Sequence, residues 1–482
     1  MGDSVVIGLD VGTGGARALA VDLTGRVPAA GRADFPPSAS RAEGARVEQD
    51  PQAWTRAAAQ ALRSMMALLG GSTEVLGISV DATSGTFLLV DEQNNPLTPG
   101  LMYNDLRAVG QGDRCAEALR STLRPYGVEI AASFALPKIA HLAETQPAVF
   151  ARCRRIVHQT DWIIGMLCGR YDVTDVSTAL KTGADIGRLS WPGAIEHALG
   201  IPLERLPRLV LPGVPIGEVT AEASRLTGLP VGTPVVSGCT DGTAGCLASG
   251  AGQAGDLNVT LGTTLVFKAV ANEPVFDPAG VIYNHRHPAG GYLPGAASST
   301  GAEWINARLG AHPDLDGLGA KAAALQPARH TAYPLVRRGE RFPFACPAAR
   351  GFGLEQIAAP EELFAAGMEG VAYLERLGIE RFAALGFNIG GRVFATGGAV
   401  AGETWLRIRA AVNRRNYVVP EHPECAMGAA ILAAAATVGD CPEATRRLVR
   451  VAREVEPDEA LARAYDEGFE RLRSELQQRG YL

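Results

Sequence analysis

Two short segments about 250 residues apart share one pattern, and that pattern constrains the fold more than any other feature of the chain. In the first, the apolar run Val5 to Leu9 leads through Asp10 into Gly12-Thr13-Gly14-Gly15. A second apolar run, Ala16 to Val21, follows and is closed by the turn Asp22-Leu23-Thr24-Gly25. In the second segment, Asp256 to Leu261 enters Gly262-Thr263-Thr264 and leaves through Leu265 to Lys268. Each reads as strand, glycine bend, strand, and an internal duplication is the most economical account of the pair. Two unrelated hairpins in a long α/β chain are the alternative. A third glycine corner differs in kind: the apolar run Val393 to Thr396 meets Gly397-Gly398 and then opens a helix through Trp405, Leu406 and Ile408.

A glycine bend leaves backbone N–H groups bare, and a ring of such donors is a nest for phosphate oxygens. Asp10 ends its strand at the mouth of that nest, where a Mg²⁺ accompanying a nucleotide would sit, and Arg17 adds a positive charge nearby. Gly12-x-Gly14 also opens a dinucleotide fingerprint. That motif needs a third glycine, where this chain has Arg17, and a long helix, where the turn at Asp22 leaves only about two helical turns. A hairpin with no ligand is the plain alternative. The corner at Gly397-Gly398 can present a helix N-terminus to a nucleotide. Two phosphate hairpins facing each other across a cleft, with that corner for base and ribose, describe an ATP site between two domains.

Phosphoryl transfer then needs a group to take the proton of the attacking hydroxyl, typically an aspartate. Asp241 is the candidate, at a strand end among Gly238, Gly242 and Gly245, which allow close approach. An Asx turn is the competing reading. Asp81, Thr83 and Ser84 form a second polar cluster at a strand end, able to hydrogen-bond a polyol or open-chain ketose, or simply to cap a turn. His141, His158, His285 and His287 lack metal-ligand spacing and read as structural. Neither a Gly-x-Ser-x-Gly elbow nor a His-Glu-x-x-His motif is present.

The chain has 482 residues, 47% of them hydrophobic, and a net charge of −6. That length suggests two large domains or three small ones. A mildly acidic chain without a basic run lacks the footprint of a nucleic-acid binder. Its eight cysteines include no Cys-x-x-Cys pair and read as reduced thiols of a cytoplasmic protein. The sequence enters a strand at once, leaving no signal peptide, and no run approaches the roughly 18 apolar residues of a membrane span. Ala426 to Val438, the longest candidate, reads as a buried helix. Helix Pro51 to Leu69 is expected after its Asp50 cap, and a proline-rich loop over Leu203 to Gly217.

Taken together these residues resemble the FGGY carbohydrate kinases, a family with two actin-like (ribonuclease H-like) α/β domains around a central cleft. Asp10-Val11-Gly12-Thr13 is similar to its first phosphate motif, and Glu48-Gln49-Asp50-Pro51 to its helix start. Asp161-Trp162, Thr174-Asp175 and Ser177 resemble the middle motif, and Gly238-Cys239-Thr240-Asp241 the catalytic-base motif. Leu261-Gly262-Thr263-Thr264 resembles the second phosphate motif. Thr396-Gly397-Gly398-Ala399 resembles the adenosine motif, followed by the helix at Met427-Gly428-Ala429-Ala430. Asp81-Ala82-Thr83-Ser84-Gly85, with Tyr103-Asn104 and Arg338 to Pro343, looks like the D-ribulose kinase branch; xylulokinases usually carry Gln-Met-His-Gly at the first of these places.

The resemblance implies ATP- and Mg²⁺-dependent phosphorylation of a ketopentose at its terminal hydroxyl, D-ribulose preferred and D-xylulose the closest alternative. Asp10, Asp81, Thr83, Ser84 and Asp241 would meet the sugar, with Asp241 as base and Asp10 also at the metal. Gly12, Thr13, Gly14, Arg17, Gly262, Thr263 and Thr264 would surround the phosphates, and Gly397, Gly398 and Gly402 the adenosine. Three positions depart from the family: Gly14 where Ser or Thr is usual, Ala82 for Gly, and Gly402 where many relatives carry an Asn that meets the adenine. The expected domains are 1–248 for the sugar and 249–440 for the nucleotide, with helices from about 441–482 packing back on the first. A sugar substrate, no nucleic acid, no membrane, and a monomer or homodimer complete the expectation. A non-catalytic sugar- or nucleotide-sensing protein is the rival of another class, and Asp241 argues against it.

Overall fold

The computed structural model describes residues 4–71 and 73–482. Strand Ser4–Val11 alternates between two apolar environments. Val5, Ile7, Leu9 and Val11 pack in one core with Trp54, Ala58 and Leu62 of the helix Pro51–Met66. Val6 packs in another with Ala426, Ala430 and Ile431 of the helix Cys425–Val438. A strand apolar on both faces belongs between two helical layers. On the second face Gly8 is required, because a Cβ there would lie 1.8 Å from the Ala426 carbonyl oxygen.

The first sheet grows outward from that strand. Gly15–Asp22 returns antiparallel, setting Arg17 opposite Asp10, and Ala29–Asp34 adds a third antiparallel strand. On the other side Glu74–Ala82 runs parallel and sets Asp81 beside Asp10. Pro234–Val236 follows in parallel, and Pro215–Glu218 closes the edge antiparallel. The second sheet has the same plan. Leu257–Leu261 pairs antiparallel with Leu265–Ala269, which pairs antiparallel with Tyr292–Ala297. Its other neighbour, Arg392–Thr396, is parallel, as is Asn416–Pro420 beyond it, and Val451–Val455 closes antiparallel. The repeat read from the sequence is a repeat of topology over six strands of each sheet; the seventh differs, Cys239–Thr240 beside Glu74–Ala82 in the first and Tyr283–Arg286 beyond Tyr292–Ala297 in the second.

The chain divides into two compact units. One runs to Gly252 and takes in His285–Tyr292 and Glu424–Arg450; the other comprises Gln253–Asn284, Leu293–Pro423 and Val451–Leu482. This division differs from the expected domains at the C-terminal end. Cys425–Val438, expected in the second domain, packs on the first sheet, where Gly428 presses against Ala244: a Cβ would lie 2.0 Å from that carbonyl. Glu459–Gln478, expected to pack back on the first domain, instead buries Ala462, Tyr465, Phe469 and Leu472 in the core of the second unit. Smaller differences are local. The helix from Pro51 ends at Met66, because Leu68 and Leu69 tighten to i→i−3 bonds on Met65 and Met66. The proline-rich stretch holds two short strands, Arg208–Val210 and Pro215–Glu218.

Among the described residues no single helix is long and apolar enough to cross a membrane, and no disulfide is formed.

Candidate functional site

In the first unit, three carboxyl groups converge where the parallel strands end. Asp10 and Asp81 are direct neighbours across the parallel pair Ser4–Val11 and Glu74–Ala82. Cys239 in turn pairs with Asp81, and two residues on Asp241 starts the helix Asp241–Ala248. Strand ends on one side of a parallel sheet are where ligands of α/β folds bind. Burial pushes the Asp10 carboxyl up to about 6; the Arg17 charge opposes the rise and Asp241 adds to it. Asp81 is wholly buried and is pushed well above the ordinary carboxylate range by burial, then by the charges of Asp10 and Asp241. Neither Asp81 oxygen meets an N–H or hydroxyl donor, and its hydrogen-bonding neighbour is the Asp10 carboxyl.

Asp241 is held by its own helix start: its Oδ1 accepts the Gly242 N–H at 2.6 Å, and the Cys425 thiol donates to its carbonyl at 3.4 Å. Ser177 ties the middle motif to this turn. Its hydroxyl is bound to Asp175 Oδ1 and accepts the Thr240 N–H at 3.2 Å. Asp161 bonds His158 Nδ1 at 2.7 Å, and His158 Nε2 lies 2.8 Å from the Thr182 hydroxyl, so this histidine is a structural one, as expected.

Of the second polar cluster, Ser84 presents a hydroxyl with no protein partner. Thr83 is different: its N–H and hydroxyl both donate to Gln159 Oε1, at 3.2 and 2.6 Å, and the hydroxyl also meets Thr86. Two lysines that sequence reading passed over hold the same loop. Lys138 is fully buried and donates to the carbonyls of Gly85 and Met102 at 3.1 and 2.6 Å; burial lowers its pKa to about 7. Lys181 donates to the Ser84 carbonyl at 3.2 Å. A lone lysine inside the apolar run Ala135 to Ala140 was the available signal.

The bend Gly12–Gly14 is closed by the Gly12 N–H on the Gly15 carbonyl at 3.0 Å and leaves Thr13, Gly14 and Arg17 exposed. Gln49, of the helix-start motif, braces it: its amide donates to the Thr13 carbonyl at 2.8 Å while its oxygen accepts from the Trp54 indole. Among the described residues no group of three Asp, Glu, His or Cys side chains is placed to hold a metal ion unaided. Mg²⁺ asks for less, one or two carboxylates with phosphate oxygens and water completing its shell. Asp10, half-buried at the end of its strand, fits that need as a single carboxylate.

The second unit holds a cavity of about 1020 Å³, the size class of small-molecule and cofactor sites. Gly262 and Thr263 of the second bend line it, as do Gly398, Gly402, Phe364 and Trp405. Thr264 closes that bend by accepting the Gly262 N–H at 3.0 Å. Gly397 shapes the wall. Its φ is +91°, and a Cβ there would lie 2.4 Å from the Leu261 carbonyl, so only glycine lets the corner sit against the hairpin. Gly402 precedes the helix Glu403–Asn413 and has open space around it.

The structure thus gathers Asp10, Arg17, Asp81 and Asp241 in one unit, and Gly262, Thr263, Gly398 and Gly402 around one cavity in the other. Residues 5–248 match the model of the N-terminal domain of the FGGY family of carbohydrate kinases, and residues 257–437 that of its C-terminal domain. The chain is 28% identical to a xylulose kinase of Streptomyces rubiginosus, over 92% of this chain and 90% of the relative. It is 26% identical to a gluconokinase of Bacillus subtilis, over 90% and 88%. The crystal structure of a xylulose kinase from Rhodospirillum rubrum superposes with a TM-score of 0.84 at 26% identity, covering 98% of each chain. The fold is the two-domain actin-like, ribonuclease H-like one.

Proposed function

The chain belongs to the FGGY family of carbohydrate kinases, and on that footing we propose that it transfers the γ-phosphoryl group of ATP to the terminal hydroxyl of a ketopentose, D-ribulose ahead of D-xylulose. The observation that carries this reading is the carboxyl trio at the strand ends, with Asp81 wholly buried between the half-buried Asp10 and Asp241. A ketopentose is neutral and rich in hydroxyl donors, and Asp81 between the other two carboxyls meets no N–H or hydroxyl donor of the protein. A sugar acid such as gluconate would bring a further negative charge beside these carboxyls, which favours a neutral sugar.

In the mechanism the attacking hydroxyl gives its proton to Asp241 as its oxygen bonds to the γ-phosphorus, and the bond to the β-phosphate oxygen breaks to release ADP. The helix start fixes that carboxylate through Oδ1, which accepts the Gly242 N–H at 2.6 Å. Asp10, Asp81 and Ser84 orient the ketose, and Thr83, engaged with Gln159, steadies the loop that carries Ser84. Gly12, Thr13, Gly14, Arg17, Gly262, Thr263 and Thr264 serve the phosphates, while Gly397, Gly398 and Gly402 border the adenosine. When bound, Mg²⁺ on Asp10 would neutralise charge on the phosphates. We place the enzyme in the cytoplasm.

A second reading, D-xylulose as substrate, has a specific observation behind it: relatives named xylulose kinase align over about nine-tenths of the chain. The two sugars differ only in configuration at C3. ADP release measured with ATP against D-ribulose, D-xylulose, L-ribulose, gluconate and glycerol separates the readings. The highest kcat/KM on D-ribulose is expected; a higher value on D-xylulose replaces the preferred substrate, and no turnover on any of them favours the sensing alternative.

A further inference from the structure

The phosphate bend Gly262–Thr264 does not hold itself in place. Its N–H closure from Gly262 to the Thr264 carbonyl spans only the turn, and the remaining backbone bonds come from one neighbouring segment. The Ala302 N–H donates to the Gly262 carbonyl at 2.8 Å, the Leu265 N–H donates to the Thr300 carbonyl at 2.9 Å, and the Ser298 N–H donates to the Leu265 carbonyl at 2.8 Å. Between them Gly301 lies so close that a Cβ would fall 2.5 Å from the Thr263 carbonyl oxygen and from Thr264 Cα. The bend therefore takes its position from residues 298–302, and Ala302 goes on to line the nucleotide cavity.

That segment is in turn gathered on one side chain. Glu340 is 3% exposed. Its Oε2 accepts from the hydroxyls of Ser298 at 3.0 Å, Thr300 at 2.7 Å and Tyr333 at 2.8 Å. Its Oε1 accepts the N–H groups of Ser299 and Arg341. Five donors on a buried carboxylate satisfy it fully, and charge-assisted bonds of this kind are about twice as strong as neutral ones. Glu340 is itself anchored by a two-bond backbone bridge with Cys346, 3.0 Å each way. Arg341 adds a bond from its guanidinium to the Ser298 carbonyl at 3.1 Å.

We propose that Glu340 is a positioning residue for the nucleotide phosphates: its carboxylate fixes Ser298, Ser299 and Thr300, and through them the bend Gly262–Thr264. This rests on the kinase reading above. A carboxylate so placed never touches the nucleotide; it sets the backbone against which the phosphates are held, so its removal loosens ATP and leaves the sugar side alone. A role in stability alone would lower the melting temperature and spare nucleotide affinity.

The test is calorimetric titration of MgATP into the full-length protein, with KM for ATP and for the ketopentose measured alongside. Glu340→Gln keeps the shape but turns one acceptor into a donor facing other donors. Its dissociation constant for ATP is expected to rise about tenfold, with KM for the ketopentose within about twofold of the parent. Folded Glu340→Gln that binds ATP within twofold of the parent overturns the proposal, whatever its melting temperature. Should that variant not fold, Ser298→Ala and Thr300→Val, which each remove a single arm, decide: threefold weaker ATP binding at an unchanged melting temperature supports the proposal, and unchanged binding in both overturns it. A parent protein that fails to bind ATP would instead remove the kinase reading itself, so the two failures are told apart.

Discussion

The Asp10 carboxyl is held out of its preferred state, and replacing it should show how much that costs. Burial raises it from 3.8 to about 6. An acid whose pKa is higher folded than unfolded binds more protons in the native state between those two values, so it contributes stability below pH 3.8 that is lost as pH climbs through 6. The difference of about 2 units is worth about 3 kcal/mol at most, charged in full at pH 8. At pH 5 the native carboxyl is mostly protonated and the penalty falls to roughly half of that. Asp10→Asn keeps the volume, removes the charge and lets the amide donate to Asp81. The attraction to the exposed Arg17 that it gives up is already included in the value of about 6. The variant should therefore be more stable than the parent by about 2 to 3 kcal/mol at pH 8, with the gain roughly halved at pH 5, and it should have lost turnover. Denaturant or thermal unfolding at the two pH values, at fixed ionic strength, measures both numbers; each kcal/mol corresponds to about 2 to 4 °C in a domain of 150–250 residues. A variant destabilised at pH 8, or one whose gain is the same at both pH values, would refute the account of Asp10 as a strained, buried acid.

Asp241→Ala should reduce kcat by at least about a thousandfold, since it removes the proton acceptor, while the ATP dissociation constant stays within twofold; retained turnover would disprove its assignment as base. Gly402→Asn meets open space, its nearest contacts being Ala399 and Trp405 at 3.8 and 4.0 Å, so it should fold normally. It should also lower KM for ATP relative to GTP several-fold, read in the same ADP-release assay. Gly428→Ala would drive a methyl to 2.0 Å from the Ala244 carbonyl, where neither helix backbone can give. A loss of more than about 3 kcal/mol in unfolding free energy is expected, against no measurable change for Gly14→Ser, which has nothing within 4 Å.

What could be read directly from the sequence was chemistry confined to a few adjacent residues. The two glycine bends, the Asp50 cap before Pro51 and the Gly397 corner all depend on local backbone demands, and those demands select recognisable residues. Contacts made through sheet register were out of reach. Nothing near Asp10 in the chain announces Asp81; the parallel pairing of two strands with a helix between them brings the carboxyls together. Lys138 and Gln159 were passed over for the same reason, and Gln49 and Glu340 were noted only as parts of motifs, since a single polar residue in a sequence does not reveal whether it faces water or a buried carbonyl. The helix Cys425–Val438 was recognised as buried, being apolar all round, yet composition says only that such a helix is covered and not by which sheet.

The duplicated topology sharpens the functional argument, because it supplies an internal control for the acid pair. Thr260 stands two residues before Gly262 as Asp10 stands two before Gly12, and its parallel neighbour is Thr396 as that of Asp10 is Asp81. In the second unit the pair consists of two hydroxyls that bond each other at 2.7 Å, with the Asn258 amide as a further neutral partner of both. The strand ends of this fold are thus adequately closed by a neutral pair, and folding gives no reason to bury two carboxyls instead. The first unit pays about 3 kcal/mol at neutral pH for Asp10 alone. A penalty of that size at a position where a threonine pair suffices is what the proposed sugar site would account for, since a polyol brings the hydroxyl donors that Asp81 is without.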